Sequence, residues 1–381
     1  MPRVILYKGQ FQYDAVNVFV EELAAGLARL GRETVLLDLT VDADRSRIET
    51  ELERPFECIV AFGAIGRRPP GVAPGAHMYD RLSAPYVAVL VDHPSQHLDR
   101  FSIDNMILTC HDRTHVSFLK KYFGGAKRVE FLPHGGSAAS GAVSGDGTRP
   151  IGILFPGTYS DPDAAYAALR AALSEEAFDI MDFVVERLLV SDGEPMEDAL
   201  AAVLAAEGRQ DEWPRFCEHL PRVESFIKPH KRMEVLRRLD QAGLAVEILG
   251  NHWPAGLFRY HRVRPALSYG ETLHLMQQSK AVLNMGFVPD GSHERVFSSL
   301  LNGALPVSDG NRYLEESFGS GADILLFRWT QLEKLPERLD AMLNGTALAG
   351  YPARAAQLGA AHTWAARAAS LLALVGRATA G

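Results

Sequence analysis

A predicted helix start in the second half of the chain places a histidine, a carboxylate and a guanidinium side by side. Ser292 is predicted to be the N-cap of this helix, and His293, Glu294 and Arg295 form its first turn. The free backbone N–H groups and the positive end of the helix dipole suit a diphosphate. Arg295 would pair with phosphate oxygens and Glu294 would accept hydrogen bonds from ribose hydroxyls, unless both side chains only face solvent.

Most sequence signatures of nucleotide-dependent enzymes are absent. The chain has no GxxxxGK[ST] phosphate loop, and no GxGxxG follows the first strand of either half. Cys58, Cys110 and Cys217 lie far apart in sequence, so they predict neither a zinc site nor a disulfide framework. Asp-x-Asp pairs at 42–44 and 161–163 resemble the metal-binding pairs of some transferases, but turns or helix starts also explain them. The sequence therefore predicts no metal and no bound cofactor.

The elements that must position the helix start at 292 are those of an α/β chain. Short apolar runs predict buried parallel strands, and residues 16–30 have the apolar period of a helix. In the first half, strands are predicted at 4–7, 35–37, 58–62, 86–91, 106–109 and 129–132. In the second half, they are predicted at 151–155, 245–249, 281–285, 305–307 and 324–327, with a mainly helical stretch at about 162–240.

A flexible linker is predicted between the two halves. Residues 135–150, GGSAASGAVSGDGTRP, are small or polar and show no apolar period. We therefore divide the chain into an N-terminal domain at 1–145, a C-terminal domain at 146–345 and a helical tail at 346–381. Strands that alternate with helices in both halves predict two doubly wound α/β domains.

Composition and charge exclude several classes of partner. The 381 residues include 39 basic and 47 acidic side chains, a formal net charge of −8. Nucleic acid and anionic membrane surfaces need a basic face, so neither is expected as a partner. No apolar run approaches the roughly 18 residues of a membrane helix, and the N-terminus does not resemble a signal peptide. The sequence predicts a cytoplasmic protein.

Residues 263–310 resemble the C-terminal domain of the CgeB (spore maturation) type of glycosyltransferases. The matching positions are Ser268, Tyr269, Glu271, Asn284, His293, Arg295, Phe297, Gly303, Ala304 and Asp309. Residues 268–271 also predict a capping box that opens a helix. Residues 153–161, 247–253 and 362–372 are similar in a looser way, the last of them to a terminal helix that returns to the first domain in this family. The resemblance implies the GT-B fold, in which two Rossmann-like domains face each other across a cleft.

The resemblance also implies a binding site for a nucleotide-sugar donor. The residues that it places there are Gly157, Thr158, Lys228, Asn251, Tyr269, Asn284, His293, Glu294, Arg295 and Ser298. Gly157 and Thr158 would donate to the diphosphate from the backbone and the hydroxyl. Lys228, with Arg232 as the reserve candidate, would neutralise the charge that develops when the nucleotide leaves.

One position of the expected donor site departs from the family pattern. Asn251, Trp253 and Tyr269 lie where the nucleobase is read in this family. A glutamate that is expected to hold the ribose usually follows the phenylalanine of the helix that begins near 293, and here that position is Ser298. Glu294 lies one turn earlier and would replace it only if the helix or the ligand shifts.

An inverting transferase also needs a side chain that removes the proton of the acceptor hydroxyl, and this side chain normally comes from the first domain. His93 follows a predicted apolar strand and lies at the expected edge of the sheet. Asp14 and His134 are further candidates. A helix cap or a hydrogen-bonded loop histidine would also explain these residues, and a retaining enzyme needs no such base.

These inferences predict a metal-independent glycosyltransferase that moves a sugar from a nucleotide-sugar donor to an acceptor. The acceptor would be a protein, a glycan or a small molecule. Two alternatives stay open at this point. A sugar-nucleotide epimerase or phosphorylase would share the fold, whereas a non-catalytic GT-B module would bind a glycan or a protein partner, and Ser298 would then mark the loss of donor binding.

Overall fold

The computed structural model describes residues 1–66, 79, 82–141, 149–318 and 321–379. Contacts divide the chain into two units, the first comprising Met1–Ser137 with Ala361–Gly381 and the second Ala138–Ala360. Seven of the sixteen residues of the predicted linker, 142–148, lie outside the described residues. No helix in the described part of the chain is long and apolar enough to cross a membrane.

Every apolar run that predicts a strand forms one, with ends that differ by at most two residues. The strands are β1 Arg3–Lys8, β2 Glu33–Asp38, β3 Cys58–Phe62, β4 Tyr86–Leu90, β5 Met106–Cys110, β6 Arg128–Phe131, β7 Ile151–Pro156, β8 Val246–Leu249, β9 Arg262–Arg264, β10 Ser279–Asn284, β11 Leu305–Asp309 and β12 Leu325–Phe327. The strand β9 was not predicted, because its three residues are exposed and two of them are arginines, so it has no apolar pattern.

Helices connect most consecutive strands in the described part of both units. They are α1 Ala15–Arg29, α2 Asp42–Glu53, α3 Arg113–Tyr122, α4 Pro162–Ala171, α5 Glu175–Leu189, α6 Met196–Ala206, α7 Trp213–Cys217, α8 Leu220–Gln241, α9 Tyr269–Gln277, α10 Glu294–Leu301, α11 Arg312–Phe318, α12 Leu335–Asn344, α13 Tyr351–Gly359 and α14 Trp364–Thr379. Both Asp-x-Asp pairs lie at helix starts, since Asp42 begins α2 and the Asp161 carboxylate accepts the first free N–H groups of α4.

The described strands of each unit form one parallel sheet of six strands, in the order β2-β1-β3-β4-β5-β6 in the first unit and β9-β8-β7-β10-β11-β12 in the second. The second order is the one of a dinucleotide-binding Rossmann domain. It reverses direction between β7 and β10, and ligands of such sheets bind outside the carboxyl ends of the strands at this reversal. The fold thus points to the loops that follow β7 and β10.

The terminal helix α14 packs on the core of the first unit. Its first residue, Trp364, is buried, and its ring stacks on Phe19 with 4.9 Å between centroids and meets Phe62 edge-on at 5.2 Å. A Cβ at Gly26 of α1 would lie 2.7 Å from the Cα of Ala365. A glycine is therefore needed where α1 and α14 cross, and the Ala-rich end of the chain is a structural part of this unit.

Candidate donor site

The loop after β7 turns over the ring of Phe155 and is held rigidly. A Cβ at Gly157 would lie 2.5 Å from the Phe155 ring, and a Cβ at Gly250 would lie 2.1 Å from the carbonyl oxygen of Gly157. The N–H of Gly157 donates to the Leu249 carbonyl over 2.7 Å, and the Trp253 indole donates to the Gly157 carbonyl over 2.8 Å. Both glycines permit a close backbone approach, but the amide of Gly157 already has an acceptor.

Asn251 fixes the next part of the same loop. Its backbone carbonyl accepts the N–H of Tyr159 over 3.0 Å, and its side-chain Oδ1 accepts the N–H of Ala266 over 3.2 Å. Asn251 itself is exposed, and the rings of Trp253 and Tyr159 lie 5.2 Å apart between centroids. The exposed Asn251 and these two rings form the part of the site that a planar ligand would contact.

Two guanidinium groups lie near the same aromatic ring of the site. The central carbon of the Arg232 guanidinium is 5.4 Å from the centroid of the Phe155 ring, and that of Arg295 is 5.8 Å from it. Arg232 comes from α8 and also donates to the carbonyl of Thr158 over 3.0 Å. Among the described residues, neither guanidinium forms an ion pair with a carboxylate. The reversal point of the sheet therefore carries two cations above one aromatic ring.

Burial makes this concentration of positive charge unfavourable. It lowers the pKa of Arg232 to about 10, and the nearby Arg295 contributes to the shift. Burial also lowers the pKa of Arg295, although Glu294 and Tyr269 oppose the effect. An anion placed against both guanidiniums would relieve their desolvation and their mutual repulsion.

Of the two cations that the sequence suggested for charge neutralisation, Arg232 lies in this pair and Lys228 lies one turn earlier on α8. The Lys228 ammonium forms an ion pair with the buried Glu224, over 2.6 Å. The neighbouring lysine, Lys231, was not identified from the sequence, although it belongs to the same basic run. Its position in the middle of a charged helix gave no sign that it is buried.

His293, rather than the predicted Ser292, caps α10. It has extended backbone angles, and its Nδ1 accepts the N–H of Arg295 over 3.2 Å. The Glu294 carboxylate contacts Nδ1 of His293. The first turn of this helix therefore begins after the carboxyl end of β10, with its polar side chains in contact with one another.

Tyr269 and Ser298 lie below the surface. Their hydroxyl oxygens are 3.1 Å apart, and Ser298 is fully buried while Tyr269 is 6% exposed. The capping box of Ser268 and Glu271 is formed as predicted and starts the helix that carries Tyr269. A ligand at the surface of the site would not touch Ser298, so this serine connects α9 to α10 instead.

The ends of β10 and β11 and the loop that follows β10 are also hydrogen-bonded. Asn284 donates to the Ser308 hydroxyl over 2.9 Å and is buried. The Asn311 amide donates to the carbonyls of Val288 and Gly291, over 2.8 and 3.1 Å. Asn311 thereby fixes the loop at 286–291 by two hydrogen bonds.

Comparison with known proteins relates part of the chain to glycosyltransferases. A family model described as glycosyl transferase-like matches residues 230–373, a range that includes Arg232, α9, α10 and β11. No curated protein matches the chain significantly. The chain has the GT-B fold, and its residues 230–373 carry a glycosyl transferase-like domain.

Solved structures of glycosyltransferases share the fold over the full length of the chain. Sucrose-phosphate synthase from Thermosynechococcus elongatus is 9% identical, with a TM-score of 0.57 and 100% of both chains covered. T4 phage BGT, in complex with its UDP-glucose substrate, is 8% identical, with a TM-score of 0.55 and coverage of 100% of this chain and 99% of that one. A glycosyltransferase involved in avilamycin A biosynthesis is 14% identical, with a TM-score of 0.52 and the same coverage.

In the first unit, His93 caps the short helix Pro94–Arg100. The N–H of Ser95 donates to Nδ1 of His93 over 3.2 Å, and the Ser95 hydroxyl lies 2.7 Å from the same nitrogen. His93 is 3% exposed, and its ring meets that of His115 edge-on, with 4.5 Å between centroids. Since Nδ1 accepts the amide proton, the neutral ring carries its own proton on Nε2.

His134 belongs to a continuous row of buried histidine rings in the first unit. Its ring lies 4.4 Å from that of His111, which lies 5.1 Å from that of His115, the neighbour of His93. The backbone carbonyl of His134 accepts a hydrogen bond from Arg367 over 2.8 Å. The structure therefore brings His93 and His134 into one cluster, which the spacing in sequence did not predict.

Asp14 lies at the carboxyl end of β1 and has an unusual backbone. Both Tyr13 and Asp14 have positive φ angles, 56° and 60°, which residues other than glycine rarely adopt. Asp14 occupies the position before α1 but makes no capping hydrogen bond, and its Oδ1 accepts the side-chain amide of Asn17 over 2.6 Å instead. Asn17 also exchanges two hydrogen bonds with the backbone of Gly9. An exposed carboxylate is thus held in a defined direction.

Proposed function

We propose that this GT-B enzyme, of the CgeB type, transfers a sugar from a nucleoside diphosphate sugar to a hydroxyl acceptor. The observation that carries the proposal is the position of Arg232 and Arg295 above Phe155, where the strand order of the second sheet reverses. In this proposal residues 146–345 are the donor domain, residues 1–145 are the acceptor domain, and residues 346–381 complete the fold.

The chemistry of the leaving group fits this pair of cations. When the bond between the anomeric carbon and the diphosphate oxygen breaks, negative charge develops on the diphosphate. Arg232 and Arg295 would donate hydrogen bonds to its oxygens, and the N-terminus of α10 would add free N–H groups. Because these groups supply the positive charge, the proposed reaction needs no divalent metal ion.

The expected contributions of the remaining donor residues follow from where they lie. Gly157 would let the diphosphate approach the backbone, and Thr158 would donate its hydroxyl. Asn251 would read the nucleobase edge, because it is exposed beside the Trp253 ring. His293 and Glu294 would face the sugar or the ribose from the start of α10. Residues Lys228, Tyr269, Asn284 and Ser298 would act indirectly, by supporting these groups.

On the acceptor side, Asp14 is a better general base than His93. An inverting transfer moves the proton of the acceptor hydroxyl to the base while the acceptor oxygen bonds to the anomeric carbon. The Asp14 carboxylate is exposed and oriented by Asn17. His93 carries its proton on Nε2 when neutral, so that nitrogen would donate a hydrogen bond rather than accept the proton.

Thermal unfolding with a panel of nucleotides tests the proposal. UDP, GDP, CDP, dTDP and ADP are added separately, with and without Mg²⁺. A nucleotide present at about 100 times its dissociation constant should add roughly 2.7 kcal/mol and raise the melting temperature by several degrees. We expect one nucleotide to stabilise the protein without Mg²⁺, and Arg295→Ala to abolish the effect. If none of them binds to the folded protein, the non-catalytic module is the better description.

Product analysis then separates the enzyme classes. A transferase incubated with the sugar nucleotide of the stabilising base releases nucleoside diphosphate, slowly to water and faster to an acceptor. A phosphorylase would instead yield a sugar phosphate, and an epimerase would return a nucleotide with an altered sugar. Either of the last two products would contradict the proposed reaction while leaving the fold and the donor site intact.

A further inference from the structure

Lys231 is buried next to the proposed donor site. It follows Pro229 and His230 on α8, and the residue is only 3% exposed. Its ammonium nitrogen lies 4.6 Å from the centroid of the Phe287 ring and 4.7 Å from that of Trp329, so it is held between two aromatic rings. It also donates to the Ser191 carbonyl over 3.3 Å.

The ammonium is electrostatically coupled to a carboxylate at the carboxyl end of β11. Asp309 is 9% exposed, and its Oδ1 accepts the N–H of Gly286 over 3.4 Å. Burial raises the pKa of Asp309, whereas Lys231 and His293 oppose this rise. The other carboxylate that acts on Lys231 is Asp192, which accepts hydrogen bonds from Thr330. Two carboxylates from different parts of the chain, Asp309 and Asp192, therefore act on the Lys231 ammonium.

Asp309 is in an unfavourable position for an enzyme that binds a diphosphate. Its carboxylate acts on His293, the cap of α10, and therefore lies near the helix start that would hold the phosphate groups. A negative charge at that place repels an anionic ligand unless a cation neutralises it. Lys231 is such a cation, and Phe287, which its ammonium contacts, belongs to the loop at 286–291.

We propose that Lys231 is a positioning residue of the donor site, whose ammonium neutralises Asp309 and holds Phe287 so that a diphosphate binds at the start of α10. This inference rests on the proposed function, because it concerns the affinity of the same site. Lys231 does not touch the ligand in this description. It acts through the charge of Asp309 and through the loop that carries Phe287.

The proposal has a consequence for the pH dependence of binding. Burial lowers the pKa of Lys231 to about 8, and Asp309 and Asp192 only partly oppose this effect. Above this pH the lysine is neutral and Asp309 is left uncompensated, so diphosphate affinity falls. The free energy of unfolding does not fall together with the diphosphate affinity. Between pH 8 and 10.5 the lysine is protonated in the unfolded chain but not in the folded one, so this group favours folding as the pH rises.

Calorimetric titration with inorganic pyrophosphate tests this inference without knowledge of the nucleobase. Lys231→Met should weaken binding at pH 7 by about tenfold or more, given the size of charge interactions in partly buried sites. The double variant Lys231→Met/Asp309→Asn should recover affinity to within about threefold, because both charges of the pair are removed. Lys280→Met, at the opposite end of β10, is the control and should bind as the unaltered protein does.

The rescue distinguishes charge from packing. If Lys231 only fills space between Phe287 and Trp329, the double variant will bind as weakly as Lys231→Met, and the inference is overturned. Should Lys231→Met fail to fold, Asp309→Asn alone serves, because it should bind pyrophosphate more tightly than the unaltered protein, and weaker or equal binding contradicts the inference.

A pH series adds a second readout and separates this inference from the proposed function. Between pH 7 and 9.5 the affinity of the unaltered protein should fall more than that of Lys231→Arg, which stays charged. The protonation of pyrophosphate changes with pH in the same way for both proteins, so a difference between their affinities arises from residue 231. If the unaltered protein binds neither pyrophosphate nor any nucleotide, the proposed function fails. If it binds them and neither substitution nor pH matters, only the role of Lys231 fails.

Discussion

The backbone N–H of Ser95 donates to Nδ1 of His93 over 3.2 Å, so the ring caps the short helix that follows it. This contact decides which nitrogen carries the proton of the neutral imidazole. Nδ1 acts as an acceptor, which leaves the proton on Nε2. A histidine in this form is a hydrogen-bond donor towards a ligand, and it is not prepared to remove a proton.

The tautomer of His93 is directly measurable. We expect the ¹⁵N chemical shifts of its ring at neutral pH to show Nε2 protonated and Nδ1 unprotonated. His93→Asn keeps an acceptor for the Ser95 N–H and should preserve stability, whereas His93→Ala should cost about 1 kcal/mol for the lost cap. A ring protonated on Nδ1 would contradict this account and would restore His93 as a candidate base.

Replacing Asp14 separates acceptor activation from donor binding. We expect Asp14→Asn to lower the rate of sugar transfer by about 10²–10⁴-fold, because a general base contributes this much. The amide still accepts the hydrogen bond from Asn17, so the loop should keep its conformation. Binding of the nucleotide should not change. Glu21→Gln, on the helix that follows Asp14 and paired with Lys8, is the control. Unchanged transfer by Asp14→Asn would exclude it as the base.

Two glycines on and beside β7 give a matched pair of variants. A Cβ at Gly157 would lie 2.5 Å from the Phe155 ring, whereas a Cβ at Gly152 would meet nothing within 4 Å. Gly157→Ala should therefore destabilise the protein by about 1–3 kcal/mol and displace the ring beneath Arg232 and Arg295. Gly152→Ala should leave the melting temperature almost unchanged. Equal effects of the two substitutions in thermal unfolding would show that the loop is not held against Phe155.

Glu22 of α1 predicts a pH-dependent contribution to stability. Burial raises its pKa to about 7 from a usual value of 4.5, and the hydrogen bond from the Ser137 hydroxyl only partly offsets this. A carboxyl with a raised pKa in the folded state stabilises that state below about pH 4.5, and this contribution is lost as the pH rises through about 7.

Glu22→Gln should remove this dependence. In urea unfolding at pH 8, we expect the variant to be more stable than the unaltered protein by about 1 kcal/mol, since water screens a half-buried group. The two proteins should differ less at pH 5. Glu49→Gln, which removes an exposed carboxylate of α2, should not have this effect. If the difference in stability between the two proteins is the same at pH 5 and at pH 8, Glu22 does not have the raised pKa.

Local patterns in the sequence predicted the elements that carry the site. The strands β7 and β10 are apolar runs, and the capping box of Ser268 and Glu271 forms as expected. By contrast, β9 has no apolar residues on a regular period, because it is an exposed edge strand. The cap of α10 shifted by one residue to His293, since an imidazole nitrogen can accept the N–H that a serine oxygen usually accepts.

The electrostatic part of the site was not predictable from local patterns. Lys231 looks like a solvated cation in a charged helix, and its burial depends on Phe287 and Trp329, which come from distant parts of the chain. The pairing of Arg232 with Arg295 likewise depends on how α8 and α10 meet at the ring of Phe155. Such contacts arise only from tertiary packing.

Calorimetric titration of a nucleoside diphosphate into four proteins tests the central claim most directly. The proteins are the unaltered chain, Arg232→Met, Arg295→Met and the control Arg237→Met, whose side chain is exposed and paired with Glu234. We expect each of the first two substitutions to weaken binding by about tenfold or more, because a hydrogen bond to a charged group contributes about 1.5–3 kcal/mol. Arg237→Met should bind normally. Equal affinities in all four proteins would contradict the account.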